Sequence, residues 1–236
     1  MPSGDRFQSG VLVQDQRRRL LVDCGSGVLH RLQQCGVGYE AVETVLLTHH
    51  HLDHVADLLP LMKARWLAGE ASLTVVGPSR TTSLVEALLE VHSYMQDRLE
   101  LEVREVGPGR HRIAGFDVEA VETRHSVPCL AYRLDDRLTI SGDTEPSEDV
   151  VELADGCAVL VHECAFPDEI ETSNHTRPSE LAEVLRDVEV GRVYLTHLYP
   201  HCQGREATMQ STIAEAWGGD VSVAEDLLTV RVTREP

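Results

Sequence analysis

A histidine-rich turn directly after an apolar run is the feature that most constrains what this chain can fold into. The run is Val45-Leu46-Leu47, and the following residues, 48–54, contain the pattern His-x-His-x-Asp-His. A strand that ends in such a turn can direct several imidazole rings and a carboxylate into one pocket. These groups are the ligands that a borderline cation such as Zn²⁺ takes in proteins. The turn therefore predicts a metal site at the end of a strand.

Three further candidate ligands lie far along the chain, and each follows an apolar or β-branched run. Together with the turn, they predict two metal pockets that share one bridging carboxylate. The predicted ligands are His49, His51 and His125 for one ion, Asp53, His54 and His197 for the other, and Asp143 between them. The alternative is a set of ordinary surface and core histidines, in which the triple-histidine tract is accidental.

The order of these motifs resembles that of the metallo-β-lactamase superfamily, and the resemblance covers nearly the whole chain. The segment Leu20-Leu21-Val22-Asp23 resembles the first superfamily motif, a strand that ends in aspartate. Lactamase, thioesterase and lactonase members usually have Pro-Gly before the third-motif histidine, whereas this chain has Arg124 before His125. Segments 124–133, 161–166 and 174–176 instead resemble the ribonuclease Z and phosphodiesterase branch.

The resemblance implies a four-layer αββα sandwich, an α/β fold in which two sheets face each other with helices outside. We expect a single hydrolase domain over residues 1–236, because a chain of this length forms an ordinary α/β domain. The resemblance also implies two Zn²⁺ ions as cofactors, with Mn²⁺ or Fe²⁺ as alternatives.

Catalytic roles follow from the same resemblance. Asp53, besides binding metal, is expected to orient the attacking hydroxide. The branch has a histidine matching His175 as the general acid for the leaving oxygen, and Glu163 is placed to orient it. Asp23 is expected to support a ligand imidazole. His50 is out of phase with His49 and His51, and we expect it to point away from the metals.

The predicted function is a metal-dependent phosphodiesterase that acts on a small molecule. The alternative enzymes are an ester, lactone or thioester hydrolase and a ribonuclease Z-type endonuclease. Two weaker alternatives are a metal-buffering scaffold and a di-iron redox protein. Ribonuclease Z usually has a long tRNA-gripping insertion between the third-motif histidine and the bridging aspartate. Only 18 positions separate His125 from Asp143, which leaves room for one hairpin.

Composition limits the partners and the location. The chain has 21 basic against 39 acidic residues and a formal net charge of −18, which argues against long nucleic acid as a partner. Without an apolar run of about 18 residues, no membrane contact is expected. The first residues lack a hydrophobic signal region, and the six cysteines form no Cys-x-x-Cys pair. We therefore predict a cytoplasmic, acidic protein.

Local patterns make four further predictions. Arg17-Arg18-Arg19 is expected in a solvated hairpin turn, and Asp135-Asp136 in a second turn that joins two strands. Pro60 is expected to start a helical turn, and residues 227–232 to form the last strand.

Family members usually begin with a strand and a Gly-rich turn before the stretch that resembles residues 4–13. This chain starts in that turn, so a sheet edge is predicted to be bare or covered in a homodimer.

Overall fold

The computed structural model describes residues 6–233, which form two compact units. The amino-terminal unit comprises residues up to 107 with 113–115, and the carboxy-terminal unit comprises 108–112 with the residues from 116 onward. The part of the predicted Gly-rich turn before residue 6 lies outside the described residues. The expected mixed α/β fold, with two sheets and several helices, is confirmed. The assignment of the whole chain to one domain stays a prediction.

The amino-terminal unit contains a five-stranded sheet with the strands in sequence order. Its strands are β1 (Val11–Gln14), β2 (Arg19–Val22), β3 (Thr44–Leu46), β4 (Ser72–Gly77) and β5 (Glu100–Glu105). Its helices are α1 (Val28–Gln34), α2 (Leu52–Val55), α3 (Leu58–Leu67) and α4 (Thr81–Val91), with 3₁₀ turns at Tyr39–Ala41 and Ser93–Arg98. β1 pairs antiparallel with β2, and the pairs from β2 to β5 are parallel.

Burial explains why the central strands of this unit are apolar. β3 is buried along its full length, and the hydrophobic core around Val45 and Val75 also includes Leu58 and Leu61 of α3. Pro60 is the third residue of α3, where its missing N–H costs no helical hydrogen bond. The arginine run lies only partly where predicted: Arg17 and Arg18 are in the connection of the β1–β2 hairpin, whereas Arg19 is the first residue of β2.

The carboxy-terminal unit contains most of a seven-stranded sheet in the order β12-β11-β10-β9-β8-β7-β6. Its strands are β6 (Gly109–Ile113), β7 (Phe116–Glu122), β8 (Leu130–Leu134), β9 (Leu138–Ile140), β10 (Val159–Glu163), β11 (Arg192–Thr196) and β12 (Val221–Val223). Its helices are α5 (Glu148–Leu153), α6 (Pro178–Val184) and α7 (Glu206–Trp217), with a 3₁₀ turn at Pro200–Cys202. β9 to β12 are parallel neighbours, and β8 runs antiparallel to both β7 and β9.

Local chemistry fixes the ends of several of these elements. Asp135 and Asp136 both have positive φ angles, 49° and 54°, and are the central residues of the turn between β8 and β9, which is closed by the hydrogen bond from the Arg137 N–H to the Leu134 carbonyl. Helix α6 begins with Pro178, and the N–H of Arg177 donates to the Glu180 carboxylate at 3.0 Å. The hydrophobic core of the unit includes Leu160 of β10 and Ile213 of α7.

The predicted last strand at residues 227–232 is wrong. β12 lies earlier, at Val221–Val223, and pairs with β11. The following segment has no regular secondary structure up to residue 233, and Leu227 and Leu228 are about half exposed. Its alternating β-branched sequence has strand propensity, but propensity yields a strand only where a neighbour supplies hydrogen bonds.

Candidate metal centre

The predicted ligands and their supporting residues follow the carboxyl ends of strands. In the amino-terminal unit, β2 leads to Asp23, and its parallel neighbour β3 leads to the histidine turn. In the carboxy-terminal unit, β9 leads to Asp143, β10 ends at Glu163 and β11 leads to His197. Because parallel strands end at the same edge of a sheet, each unit brings its functional groups together at one edge.

Three imidazole rings of the histidine turn form a cluster in the amino-terminal unit. The ring centroids of His49 and His51 are 4.7 Å apart, and those of His49 and His54 are 4.1 Å apart. His49 and His54 are buried, and His51 directly precedes α2. Asp53 lies in the first turn of the same helix. His50 points to Thr81, whose Oγ1 lies 2.8 Å from its Nε2, so it is directed differently from these rings, as predicted.

The Asp23 carboxylate fixes the orientation of two of these rings. His54 Nδ1 donates to Asp23 Oδ2 at 2.7 Å, and the Thr48 N–H donates to Oδ1 at 2.8 Å. The Thr48 hydroxyl donates to Asp23 at 2.9 Å and lies 3.0 Å from His49 Nδ1. With Nδ1 protonated in both rings, each Nε2 carries the lone pair that a metal needs. The donor chemistry therefore fits a bound cation.

Thr48 is a candidate functional residue that sequence reasoning missed. It lies inside the quoted motif, but its role becomes visible only when Asp23 is placed beside it, 25 positions earlier in the chain. Asp23 itself adopts a left-handed backbone conformation with φ of 61°. This turn directs the carboxylate back toward the end of β3.

A second group of donors lies in the carboxy-terminal unit. Asp143, His175 and His197 each offer one ligand atom, and these atoms lie within 4.8 Å of one another. Asp143 Oδ2 is 3.3 Å from His197 Nε2 and 3.9 Å from His125 Nε2. The side chains of Asp143, His125 and His197 are 3%, 1% and 6% exposed. A buried carboxylate between two imidazoles is a suitable anchor for divalent cations.

Glu163 is a buried carboxylate held by four donors. Its Oε1 accepts from His175 Nδ1 at 3.0 Å and from the N–H groups of Thr144 and Thr176 at 3.1 and 3.3 Å. Its Oε2 accepts from the Ala165 N–H at 3.0 Å. Burial raises the pKa of Glu163, and the hydrogen bond from His175 opposes this effect. The four donors favour the ionised carboxylate, which can then hold the His175 ring in place.

The loop that carries His175 also orients a predicted metal ligand. His125 Nδ1 donates to the carbonyl of Asn174 at 2.9 Å, so its Nε2 carries the lone pair. Asn174 has a φ of 64°, and its N–H donates to Glu145 at 2.8 Å. Sequence reasoning missed both Asn174 and Glu145, because the contact to His125 comes from a backbone carbonyl that no side-chain motif reveals.

His162, which the sequence left outside the catalytic set, is a packed core residue. It is fully buried, and its Nδ1 donates to the Glu163 carbonyl at 2.6 Å. Burial lowers the pKa of His162 to about 4, so the ring is neutral near pH 7.

Among the helices of the described residues, none has both the length and the apolar character to cross a bilayer. Cytoplasmic location stays a prediction.

Comparison with known proteins places this chain among hydrolases. It is 33% identical to the ribonuclease Z of Methanopyrus kandleri over 276 positions, covering 99% of this chain and 95% of the relative. The crystal structure of the metallo-β-lactamase fold protein YhfI from Bacillus subtilis is 26% identical, with a TM-score of 0.79 and coverage of 95% and 92%. Human tRNase Z, short form, has the same fold at 20% identity, with a TM-score of 0.77 and coverage of 98% and 95%.

The fold and the donor groups define a class. The chain is a ribonuclease Z-like member of the metallo-β-lactamase superfamily and a metal-dependent hydrolase, as predicted. A model of the family described as anti-Pycsar protein Apyc1 matches residues 3–215, and the chain belongs to this family. The name of the relatives, ribonuclease Z, does not fit the expectation that long nucleic acid is an unlikely partner.

Proposed function

We propose that this protein is a phosphodiesterase that hydrolyses a small phosphodiester with the help of two divalent metal ions. The observation that carries the proposal is the His175–Glu163 pair beside Asp143 and His197. It combines a candidate proton donor with candidate metal ligands at one sheet edge. Cleavage of a phosphodiester needs both functions, because charge must be neutralised on the phosphoryl group and the leaving oxygen must receive a proton.

Seven residues are proposed to hold the two ions. The order of the motifs indicates which of these residues belong to which ion. They are His49, His51 and His125 for one ion, Asp53, His54 and His197 for the other, and Asp143 as the bridge. Support for the bridge comes from the proximity of Asp143 Oδ2 to the Nε2 atoms of both His125 and His197. Imidazole with carboxylate favours Zn²⁺, and Mn²⁺ or Fe²⁺ remain alternatives.

Two divalent ions, when bound, supply Lewis acidity that activates water and neutralises charge on a phosphoryl oxygen. Asp53 is proposed to orient the attacking water with the carboxylate oxygen that does not face a metal. His175 is proposed to donate its Nε2 proton to the leaving oxygen, while Glu163 holds Nδ1 and stabilises the charged ring. The side chain of His175 is 12% exposed, so it is accessible from solvent, whereas Glu163 is buried behind it.

Endonucleolytic processing of RNA is the second candidate function, and the relatives named ribonuclease Z favour it. Two observations favour a smaller substrate. The alignment to the Methanopyrus kandleri relative spans 276 positions, whereas this chain has 236 residues. At least 40 positions therefore have no counterpart here. The connection from His125 to Asp143 is filled by the short strands β8 and β9, which leaves no room there for a tRNA-gripping insertion.

A panel of chromogenic substrates tests the proposal. Metal-loaded protein is incubated with a phosphodiester, a carboxylic ester and a sulfate ester that share a nitrophenolate leaving group, and with a thioester of the corresponding nitrothiophenol, so that differences report the bond that is cleaved. We expect the phosphodiester to have the highest kcat/KM. Faster turnover of the ester or thioester would assign the protein to the other hydrolase branch, and the present proposal would then fail.

A further inference from the structure

Two aromatic rings lie beside the proposed acid. Phe166, three residues after β10, and Tyr199, three residues after β11, stack with centroids 4.9 Å apart and planes inclined by 20°. The Tyr199 ring lies 5.5 Å from that of His175 and 5.4 Å from that of His197. Phe166 is 5.9 Å from His175. All of these residues belong to the carboxy-terminal unit.

Core packing does not account for this pair. The hydrophobic core of the unit includes Cys164, Leu198 and Cys202, which are close neighbours of the two residues in the chain, but it includes neither Phe166 nor Tyr199. Both are half-buried. The chain has only ten Phe, Tyr and Trp residues in total. Two of them stack on each other here and pack beside imidazole rings. Ligand pockets are lined mainly by apolar and aromatic side chains with a few polar groups, and accessible aromatic rings give flat ligands a surface on which to stack.

We propose that Phe166 and Tyr199 form a stacking platform for a planar aromatic group, such as an aryl ring or a nucleobase, on the leaving-group side of the substrate. The position of His175 indicates that this is the leaving-group side. Under the proposed function, on which this inference rests, His175 protonates the leaving oxygen. The departing group is therefore next to His175 and within reach of the two rings. The platform determines which small phosphodiesters are accepted, because a flat leaving group gains stacking contacts that an alkyl group lacks.

Two methyl phosphodiesters test the platform, one with a phenyl and one with a hexafluoroisopropyl leaving group. Phenol and hexafluoroisopropanol have similar acidity, so the two leaving groups differ mainly in whether they contain a flat ring. Tyr199→Leu should raise KM for the phenyl ester about 5- to 150-fold, the equivalent of the roughly 1–3 kcal/mol that one stacked ring contributes. Any loss on the alkyl ester should be much smaller, so the ratio of kcat/KM for the phenyl ester to that for the alkyl ester should fall. Tyr199→Phe retains the ring and should behave as wild type, and Phe166→Leu should repeat the selective loss.

Tyr94→Leu is the matched control, since Tyr94 is 52% exposed, lies in the other unit and contacts Trp66. Zinc content is measured for every variant, because Tyr199 packs on the proposed ligand His197. An equal loss on both esters, or no loss on either, would overturn the platform.

A binding measurement separates failure of this inference from failure of the proposed function. Phenylphosphonate and methylphosphonate are not hydrolysed, and their affinities for the metal-loaded protein are compared by calorimetry. We expect wild type to bind phenylphosphonate more tightly and Tyr199→Leu to lose this preference. If neither diester is hydrolysed but the preference is found, the phosphodiesterase proposal fails and the platform stands. If diesters are hydrolysed without any preference, the platform fails alone.

Discussion

Single hydroxyl and carbonyl groups contact the Nδ1 atoms of two candidate metal-binding histidines. Thr48 Oγ1 connects Asp23 to His49, and the Asn174 carbonyl plays the same part for His125. In each case Nδ1 is occupied, and Nε2 remains as the lone-pair donor. Mutation of partners of this kind typically lowers metal affinity about 10- to 100-fold.

Replacing Thr48 tests this orientation directly. Thr48→Val keeps the shape of the side chain but removes the hydroxyl, so His49 loses the contact that fixes its ring. We expect the affinity for Zn²⁺ to fall about 10- to 100-fold, measured by competition with a chromogenic chelator. Thr48→Ser, which retains the hydroxyl, is the control and should bind nearly as wild type. Equal affinities of the valine variant and wild type would show that Thr48 does not orient the ligand.

The role of His175 is tested by how the effect of its loss depends on the leaving group. His175→Ala should leave metal content unchanged and lower turnover of an alkyl phosphodiester by about 10²–10⁴, the usual contribution of a positioned acid. The loss should be small for a nitrophenyl ester, because nitrophenolate hardly needs a proton. His30→Ala, an exposed histidine of α1, is the control.

Two results would contradict the acid role. His175 lies within 4.8 Å of the donor atoms of Asp143 and His197, so loss of metal from His175→Ala would make it a ligand. An equal loss of turnover on both esters would make it a binding residue.

At the scale of secondary-structure elements, three loops of the carboxy-terminal unit form one hydrogen-bonded assembly. Thr123 Oγ1 donates to the Asp143 carbonyl at 2.7 Å, and Thr176 Oγ1 donates to the Thr144 carbonyl at 2.7 Å. The loop of His125, the loop of Asp143 and the loop of His175 are therefore fixed to one another. Glu145 completes the assembly, because its carboxylate accepts the Asn174 N–H.

Removing the Glu145 carboxylate should loosen two of these loops together. Glu145→Ala leaves the Asn174 N–H without its acceptor, and a hydrogen bond to a charged group contributes about 1.5–3 kcal/mol. We expect the free energy of unfolding to fall by an amount of this order, and zinc affinity to fall with it because Asn174 orients His125. Denaturant unfolding and chelator competition measure the two effects. Glu145→Gln keeps an acceptor oxygen but not the charge and should recover part of both properties; unchanged zinc affinity in the alanine variant would exclude the link.

How much of this could be predicted depends on whether the signal is local. Strand β3 and the direction of His50 followed from the apolar run and its phase. The contacts of Thr48, Glu145 and Asn174 could not be found, because their partners lie 25 to 49 positions away and several are backbone groups. The strand expected at residues 227–232 failed for a related reason, since its composition fits a strand but no described neighbour pairs with it.

For the whole molecule, the proposed preference for a small substrate rests on charge. The formal net charge is −18, and two divalent ions would add only four positive charges. A polyanion is repelled at low salt, and screening at high salt removes the repulsion without supplying attraction. A small diester carries little charge and is affected far less.

We therefore expect small phosphodiesters to be better substrates than a precursor tRNA. The measurement compares kcat/KM for a dinucleotide and for a 3′-extended tRNA, from low to molar salt, with metal-loaded protein. The dinucleotide should be preferred at every salt concentration. Accurate cleavage after the discriminator base with a low, saturable KM would instead assign the protein to tRNA processing, in line with the name of its relatives.

Metal titration of the stripped protein tests the central claim most directly, because phosphodiester hydrolysis and metal binding are then measured on one sample. Zinc is added back to chelator-treated protein, and turnover of a small phosphodiester is recorded against bound metal by elemental analysis. We predict that turnover reaches its maximum at two ions per chain and that Asp143→Ala, which removes the bridge, loses most of both metal and activity. Full turnover at one ion per chain, or an Asp143→Ala variant that retains two ions and normal activity, would contradict the account.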